Sequence, residues 1–520
     1  MRYFIPKEYS HRVYNLSKRG LKMKLKSRAV VSTLGLLALF ILVAVNSSSL
    51  FFMHEGIDKL SRANLTLNLY KSGSSDSDSD SRHALFSDGG SDSLSTKERK
   101  KNISDLLVQK DEIVERLLEF LSNINDSGFD FDGYMSYTYS DLVQELSAGR
   151  LTKARTLRLS PTGRRDKLTN FDLFHGGIRQ FALYNPNSPY VEGLLEDMHT
   201  QPIVSMDTME KGTQLKMGVV FSNGARAVFK PMRWPRDRET DPNHFYFNDY
   251  ERHNAEIAAF YLDRLLGFYS VPPVAGRFVN MTSEIMWLST KKLQKTFYTS
   301  PVNNLCFFGE CTYYCDSRHS FCGNGDIIEG SFMAFLPPDK FALRQRWKSP
   351  WRRSYSKLRK AEWEVDDNYC QEVRKTTPYN NGKMLLDIID MHIFDFLTGN
   401  MDRHHLEIFK DFGNYSFLIH LDNGRGFGKI SHDERSILAP LQQCCLIRES
   451  TFLKLLKFYT GPEKLGQLLR NSLERDVLRP LLADGHYTAL DRRVTVILKT
   501  VYLCLEKTDK YNNVIIKDKF

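Results

Sequence analysis

The sequence predicts an α+β protein of at least two packed units, carried behind a membrane anchor and a disordered stem. Three observations predict it. At 520 residues the chain is longer than one core normally holds. A balance of 42% hydrophobic to 26% charged residues is globular, and a hairpin signal at 219–230 is followed by a helical period from Glu251. An uncharged apolar run near the start leads into a Ser/Asp tract with too few apolar residues to repay its ordering entropy. The net charge of +10 fits an acidic partner. No zinc finger, RNP-like strand or basic helix stands out, so no nucleic-acid role is expected.

Taken in order, Arg12, Lys18, Arg19, Lys22, Lys24, Lys26 and Arg28 precede the run Ala29 to Val45 (AVVSTLGLLALFILVAV). That run is at the short end for a bilayer span of about 20 residues. Positive charge before it orients the amino terminus to the cytosol and the remainder to the lumen. The sequence favours a type II signal anchor over a cleaved signal peptide with a long basic n-region; both place the bulk of the chain in the secretory pathway. Residues 71 to 96, mostly Ser, Asp and Gly, read as a disordered stem. The expected order is a cytosolic basic tail (1–28), the transmembrane anchor (29–46), a lumenal stem (47–100) and an N-terminal helical segment (101–200).

In that segment Ser104 is a candidate cap for a helix. Its apolar residues Leu106, Leu107, Ile113, Val114, Leu117, Leu118 and Leu121 follow a helical period. Such a stripe is a core face or a partner face. Sequons at Asn64, Asn102, Asn125, Asn280 and Asn414 fit lumenal exposure, with Asn280 and Asn414 the expected glycosylation sites.

The cysteines agree with that compartment. Cys306, Cys311, Cys315, Cys322, Cys370, Cys444, Cys445 and Cys504 all lie beyond the tail, anchor and stem. The first four cluster without the paired CxxC knuckles of a zinc site. An even count in an oxidising compartment favours four disulfides, with the connectivity left open.

Val219 to Phe221, Ser222-Asn223-Gly224 and Ala225 to Lys230 read as a hairpin with an Asn-Gly turn. Its second strand ends Ala-Val-Phe-Lys230, similar to the Val-Ala-Ile-Lys whose ammonium pairs with nucleotide phosphates in protein kinases. Glu251 then heads a helical face through Asn254, Ala255, Ala258, Leu262 and Leu265. A carboxylate there suits the helix dipole, or it orders the lysine or a metal. There is no G-x-G-x-x-G; the candidate phosphate cover is Gly212-Thr213-Gln214, with Lys216 and Gly218 nearby. Ile327 to Leu336 (IIEGSFMAFL), closed by Pro337-Pro338, reads as a strand and hinge where a nucleotide base docks.

The densest stretch runs from Gly399 to Gly428. Asp402 opens Asp-Arg-His-His-Leu-Glu407, and Asp422 opens Asp-Asn-Gly-Arg-Gly-Phe-Gly. Phe417 to Leu421 between them has strand composition, after turn signals from Asp411 to Asn414. A loop, a hairpin and a second loop would bring both carboxylates to one sheet edge. That arrangement suits phosphoryl transfer, one carboxylate accepting a hydroxyl proton and the other holding a phosphate-bridging metal. Lysine strand, glutamate helix, apolar hinge and both aspartate loops occur in protein-kinase order.

With FKPM, FYFNDYERHNAEIAAF, PWRRSY, KAEWEVD, IFDFLTGNMDRHH, LDNGRGFGK and LQQCC, residues 200 to 508 resemble the secretory-pathway kinases of the "family with sequence similarity twenty" group. The likeness is strongest to its Golgi casein kinase branch. The resemblance implies an α+β, atypical two-lobed protein-kinase-like fold with disulfides, its N-lobe at 201–336 and its C-lobe at 337–520. It implies a Golgi and secreted serine kinase using ATP and Mn²⁺, with Mg²⁺ weaker. Its substrates would be acidic secreted proteins, casein-like or of biomineralisation, at Ser-x-Glu or Ser-x-phosphoSer. By position, Asp402 resembles the catalytic base, Asp422 the metal and nucleotide ligand, and Glu251 a second metal ligand or lysine partner. Lys230 and Gln214 would contact phosphates, Glu407 would complete the nucleotide site, and Met333, Ala334, Phe335 and Leu336 would form the adenine hinge. The family pairing implies Cys306–Cys322, Cys311–Cys315, Cys370–Cys444 and Cys445–Cys504. One departure is Leu406, where the vertebrate relatives are expected to carry an aromatic; it bears on packing. The stem is short and Ser/Asp-rich, so no propeptide cleavage in the family is carried over to it.

Two alternatives follow from the same resemblance. A pseudokinase member of the group carries Gln where this chain has Glu251, so the carboxylate here argues for activity. A xylose kinase of the group would share the metal and ATP residues. The run Arg344, Arg346, Lys348, Arg352, Arg353, Lys357, Arg359 and Lys360 reads as a solvated face or a dock for acidic substrates. A homodimer, or a heterodimer with a pseudokinase paralogue, would use the apolar stripe after Ser104.

Overall fold

The computed structural model describes residues 111–123, 156–157, 168–209, 213–241, 244–245, 250–508 and 510–517. The chain divides into two compact units, 1–100 and 101–520, and every described residue belongs to the second. The expected tail, anchor and stem, the Ser104 cap, Gly212 and the sequons at Asn64, Asn102 and Asn125 lie outside the described residues.

Helix α1 (Glu112–Ser122) starts at Asp111, whose side chain accepts from the Ile113 amide and caps it. Its stripe of Val114, Leu117 and Leu121 is buried in this chain's own core. Asp111 is further fixed by Lys499 at 2.6 Å and by the Tyr459 hydroxyl at 2.9 Å. Val114, Leu117 and Leu121 are therefore not available to a partner, and Leu106 and Leu107 lie outside the described residues.

Helices α2 (Asn170–Gly177) and α3 (Pro189–Thr200) precede strands β1 (Ile203–Thr208), β2 (Met217–Phe221) and β3 (Arg226–Pro231). The predicted β2–β3 hairpin forms, with Val219 opposite Ala227 and Gly224 in the turn at φ +82°, where a side chain would be strained. Helix α4 (His253–Leu266) and strand β4 (Val274–Asn280) follow. Short strands β5 (Phe297–Thr299), β6 (Leu305–Phe307) and β7 (Phe321–Cys322) make a separate three-stranded sheet. Strand β8 (Ile327–Ala334) then enters the main sheet, whose antiparallel order is β1-β2-β3-β8-β4. Phe221, Phe229 and Phe332 meet on its core face, with 4.6 Å between the rings of Phe229 and Phe332. Truncating one such buried ring costs about 3–5 kcal/mol.

The remainder is mainly helical. Strand β9 (Arg344–Lys348) is followed by α5 (Tyr369–Lys375), α6 (Lys383–Thr398) and strand β10 (His405–Phe409), which pairs antiparallel with β9. Helices α7 (Ala439–Cys444), α8 (Glu449–Thr460), α9 (Leu465–Leu473) and α10 (Asp484–Thr508) complete it. Helix α6 is buried on every side from Met384 to Thr398, the pattern of a central helix. Its buried acids are paired: Asp387 and Asp390 with Arg448, Asp395 with Arg403.

Residues 417–421 form no strand. Ile419 donates to the Glu407 carbonyl and His420 to that of Ser270, so the segment threads between two neighbours without a ladder. Phe417 to His420 are all buried, and an apolar run enclosed on all sides carries no alternation to mark a strand. The strand beside the Asp402 loop is β10. All four implied disulfides are present, Cys306–Cys322, Cys311–Cys315, Cys370–Cys444 and Cys445–Cys504. The last two tie α5 to α7 and the end of α7 to α10.

Candidate active site

The two aspartate loops are brought together by Arg403. Its guanidinium makes a bidentate pair with buried Asp395 of α6, at 2.9 and 2.7 Å. The same group donates to the Leu421 carbonyl and, at 2.7 Å, to Asn423 Oδ1. One buried cation thus holds the loop of Asp402 against the turn of Asp422. Helix α6 ends at Gly399, left-handed at φ +77°, and the Asn400 amide returns to the Asp395 carbonyl. Asn400 Oδ1 in turn accepts from the Asp402 amide.

Asp422 itself takes the left-handed conformation, φ +62°, which Asp tolerates better than most residues. The turn beyond it is glycine-rich because it packs under α4. A Cβ on Gly428 would stand 2.8 Å from Thr240 Oγ1, and one on Gly424 3.3 Å from Glu256 Oε1.

Lys230, near the end of β3, faces three carboxylates. Its Nζ lies 2.6 Å from Glu256, 2.7 Å from Asp422 and 3.8 Å from Glu251. The helix-borne partner of the lysine is Glu256, which also accepts from the Asn423 amide. Glu251 lies ahead of α4, whose first residue is His253, rather than heading its face. Lys230's ammonium holds Asp422 far below the usual carboxylate range, against the opposing effect of partial desolvation by its neighbours. Burial pushes Glu251 up, with Lys230 offsetting it. Burial pulls Lys230 down, but Asp422, Glu251 and Glu256 together leave it well above an ordinary lysine. In direct contact three acids share one ammonium, with Lys216 and Arg425 acting on Asp422, and Arg233 on Glu251, from farther off.

Asp402 stands in a different setting. Arg425 Nη1 is 2.6 Å from one oxygen, and the Tyr355 hydroxyl donates to the other at 2.9 Å. Its hydrogen bond to His404 raises the pKa of that imidazole. A cleft of about 220 Å³ runs between the two settings, lined among others by Lys216, Lys230, Met333, Asp402, Glu407 and Asp422.

Lys230, Asp402, Glu407, Asp422 and Met333 therefore meet, with Glu251 beside the lysine. Glu407 enters the cleft as an ion pair with Arg344 at 2.7 Å and Arg346 at 2.8 Å, the latter directly opposite it in the β9–β10 ladder. Gln214 contacts Arg233 and is not among the residues lining the cleft. Beyond Met333, the amides of Ala334 and Phe335 are bonded to the carbonyls of Pro273 and Arg226. Phe335 and Leu336 border a second cavity of about 690 Å³. Asn414 is exposed and Asn280 partly so, its Oδ1 accepting from Ser283. Sequence reading missed Glu256, Arg403, Arg425 and Tyr355.

The donor set suits a hard divalent cation. Glu251 and Asp422 offer carboxylate oxygens, and the Asp422 side chain keeps 57% of its surface open although one oxygen binds Lys230. No cluster of three or more His, Cys, Asp or Glu around one ion point occurs among the described residues. A cation here would take further ligands from phosphate or water.

A lysine strand ion-paired to a helix glutamate, and two loop aspartates across a cleft, define an atypical protein-kinase-like fold. The family model described as "Fam20C: Golgi casein kinase, C-terminal, Fam20" matches residues 169–513. The human "Extracellular serine/threonine protein kinase FAM20C" is 55% identical over 343 residues, 66% of this chain and 59% of that one. The human "Pseudokinase FAM20A" is 48% identical over 350 residues, 64% of this chain and 65% of that one. A crystal structure of the Golgi casein kinase with Mn/ADP bound superposes with TM-score 0.68 at 38% identity, covering 85% of this chain and 96% of that one. This chain belongs to the Fam20 family. Its matched part spans less than two thirds of the length of either human relative.

Proposed function

We propose that this protein is a secretory-pathway serine kinase that transfers the γ-phosphate of ATP to secreted acidic proteins at Ser-x-Glu or Ser-x-phosphoSer. The observation that carries this reading is the unequal charge of the two cleft ends. One end has excess carboxylate around Lys230; the other holds a single carboxylate, Asp402, which lines the cleft and is paired with Arg425 and Tyr355. The Golgi casein kinase structure with Mn/ADP bound supports Mn²⁺ as the cofactor and ATP as the donor.

In this reading Asp422 and Glu251 would hold Mn²⁺, and Lys230 and Lys216 would contact phosphate oxygens. When bound, the metal supplies charge that stabilises the transferring phosphoryl group. The serine Oγ forms a bond to the γ-phosphorus as the bridging P–O bond breaks. ADP leaves, and the serine proton passes to Asp402. Met333 packs on the base side of the cleft, and Glu407, neutralised by Arg344 and Arg346, closes that end. Gln214, whose Oε1 accepts from Arg233, would contact the phosphates through its Nε2 donor. The N-terminal run anchors the chain to the Golgi membrane, with release accounting for a secreted form. A paralogue or self-partner would bind through a surface other than the α1 stripe.

The test supplies the full-length chain, made in a secretory host, with ATP and Mn²⁺. Acceptors are a Ser-x-Glu peptide and a xylose-containing tetrasaccharide, beside an Asp422→Ala control. Phosphate on the peptide, absent in the control, is the expected result. Transfer to the sugar alone moves the assignment to a glycan kinase. Silence on both, with stimulation of an active relative on mixing, makes the protein a pseudokinase activator.

A further inference from the structure

Both oxygens of Asp402 are engaged before any substrate arrives, and the two nearest groups, Arg425 and Tyr355, differ in kind, with His404 Nδ1 farther from Oδ1 at 3.5 Å. Arg425, on Oδ2, is a cation buried within the turn after Asp422. Tyr355, on Oδ1, is 46% exposed and lies in a loop without helix or strand. Buried tryptophans fix the flanks of that loop, Trp351 donating to Gln443 and Trp363 to the Arg352 carbonyl. The middle stands in solvent, Leu358 at 99% exposure. The cation cannot leave without stranding a buried charge. The tyrosine hydroxyl can leave into water at small cost.

The bond that Tyr355 makes is hydroxyl to carboxylate. An acceptor hydroxyl must make the same bond to the same carboxylate before its proton is taken. We propose that Tyr355 occupies the acceptor place on Asp402, so that substrate binds by displacing it and water is kept off the base until then. This makes Tyr355 a positioning residue on the acceptor side that sets access to the base, a role that rests on the kinase reading. The same loop carries Arg352, whose guanidinium reaches the Ser349 carbonyl at the long distance of 3.5 Å. An acidic chain settling there would act on the segment that must move.

The test compares the full-length chain with Tyr355→Phe, which keeps the ring against His404, 6.0 Å away, and removes only the hydroxyl. Two quantities are read with ATP and Mn²⁺: KM for a Ser-x-Glu peptide, and ADP release without peptide. In the latter, water oxygen bonds to the γ-phosphorus, the bridging P–O bond breaks and the water proton passes to Asp402. The expected result is a fall in KM and a rise in ADP release, each about threefold to tenfold, the worth of one hydrogen bond. A higher KM, or both quantities unchanged, overturns the role of Tyr355. If the wild type never phosphorylates peptide yet hydrolyses ATP, the peptide-kinase reading fails while ADP release still decides the tyrosine. No ADP release from either protein, with peptide or without it, overturns both.

Discussion

The two ends of the cleft use the same residue type in opposite ways. Around Lys230, three carboxylates share one ammonium; around Asp402, one carboxylate is shared by a guanidinium, a hydroxyl and, farther off, the His404 imidazole. The first end is short of positive charge and suits a cation with its phosphates. The second is already neutral and needs only to exchange one hydroxyl for another. Arg403 joins them by bonding Asp395, Leu421 and Asn423, so the difference arises from neighbours rather than from the aspartates.

Asparagine substitutions separate the two ends most widely. Asp402→Asn removes the proton acceptor and should lower phosphate transfer by about 10²- to 10⁴-fold, with nucleotide binding retained. Initial rates and ADP binding, measured on one preparation, check both halves. Asp422→Asn should lower transfer about 10²- to 10³-fold and lose Mn²⁺-dependent ADP binding as well.

The two glutamates near Lys230 should separate next. Glu256 is buried with a lysine and an amide as partners, so Glu256→Gln should cost about 1–3 kcal/mol of stability by urea unfolding. Glu251, farther from the lysine, should on substitution by Gln weaken Mn²⁺ affinity with a smaller loss of stability.

Acid should act on the fold as well as on the site. Burial lowers His392 and His486 to about 4, against an ordinary value of 6.5. Both are neutral when folded, and the unfolded chain binds their protons first. Their contribution is therefore complete above pH 6.5 and is lost as pH falls toward about 4, by up to about 1.4 kcal/mol per unit for each group. Tm measured across that range should fall less steeply in His486→Leu than in the wild type. The smallest effect belongs to the rim: Arg352→Glu should raise KM for an acidic peptide by about twofold to fivefold, as expected of one exposed charge. An unchanged KM would remove Arg352 from substrate docking.

Much of this was legible because the relevant residues carry local signals. Lys230 ends a strand announced by Asn-Gly, and Asp402 and Asp422 open polar turns after apolar runs. Glu256 was hidden because α4 is buried nearly all round, so a face read from spacing picked out Glu251 and passed over a buried carboxylate. The start of α4 was hidden too, since Arg252 caps it without a side-chain bond. Tyr355 and Arg403 escaped for another reason. Their partners are distant in sequence or belong to two loops at once, and no period encodes such a contact. The 417–421 segment failed as a strand because burial on all sides produces the same apolar run with or without a ladder.

The unlike duties of Asp402 and Asp422 are open to one decisive measurement, calorimetric titration of ADP with and without Mn²⁺ into the wild type, Asp402→Asn and Asp422→Asn. Asp402→Asn should bind ADP as the wild type does, with full Mn²⁺ dependence, while Asp422→Asn should lose that dependence. Equal loss in both variants, or retention in Asp422→Asn, would show that the two carboxylates do not divide the work in this way.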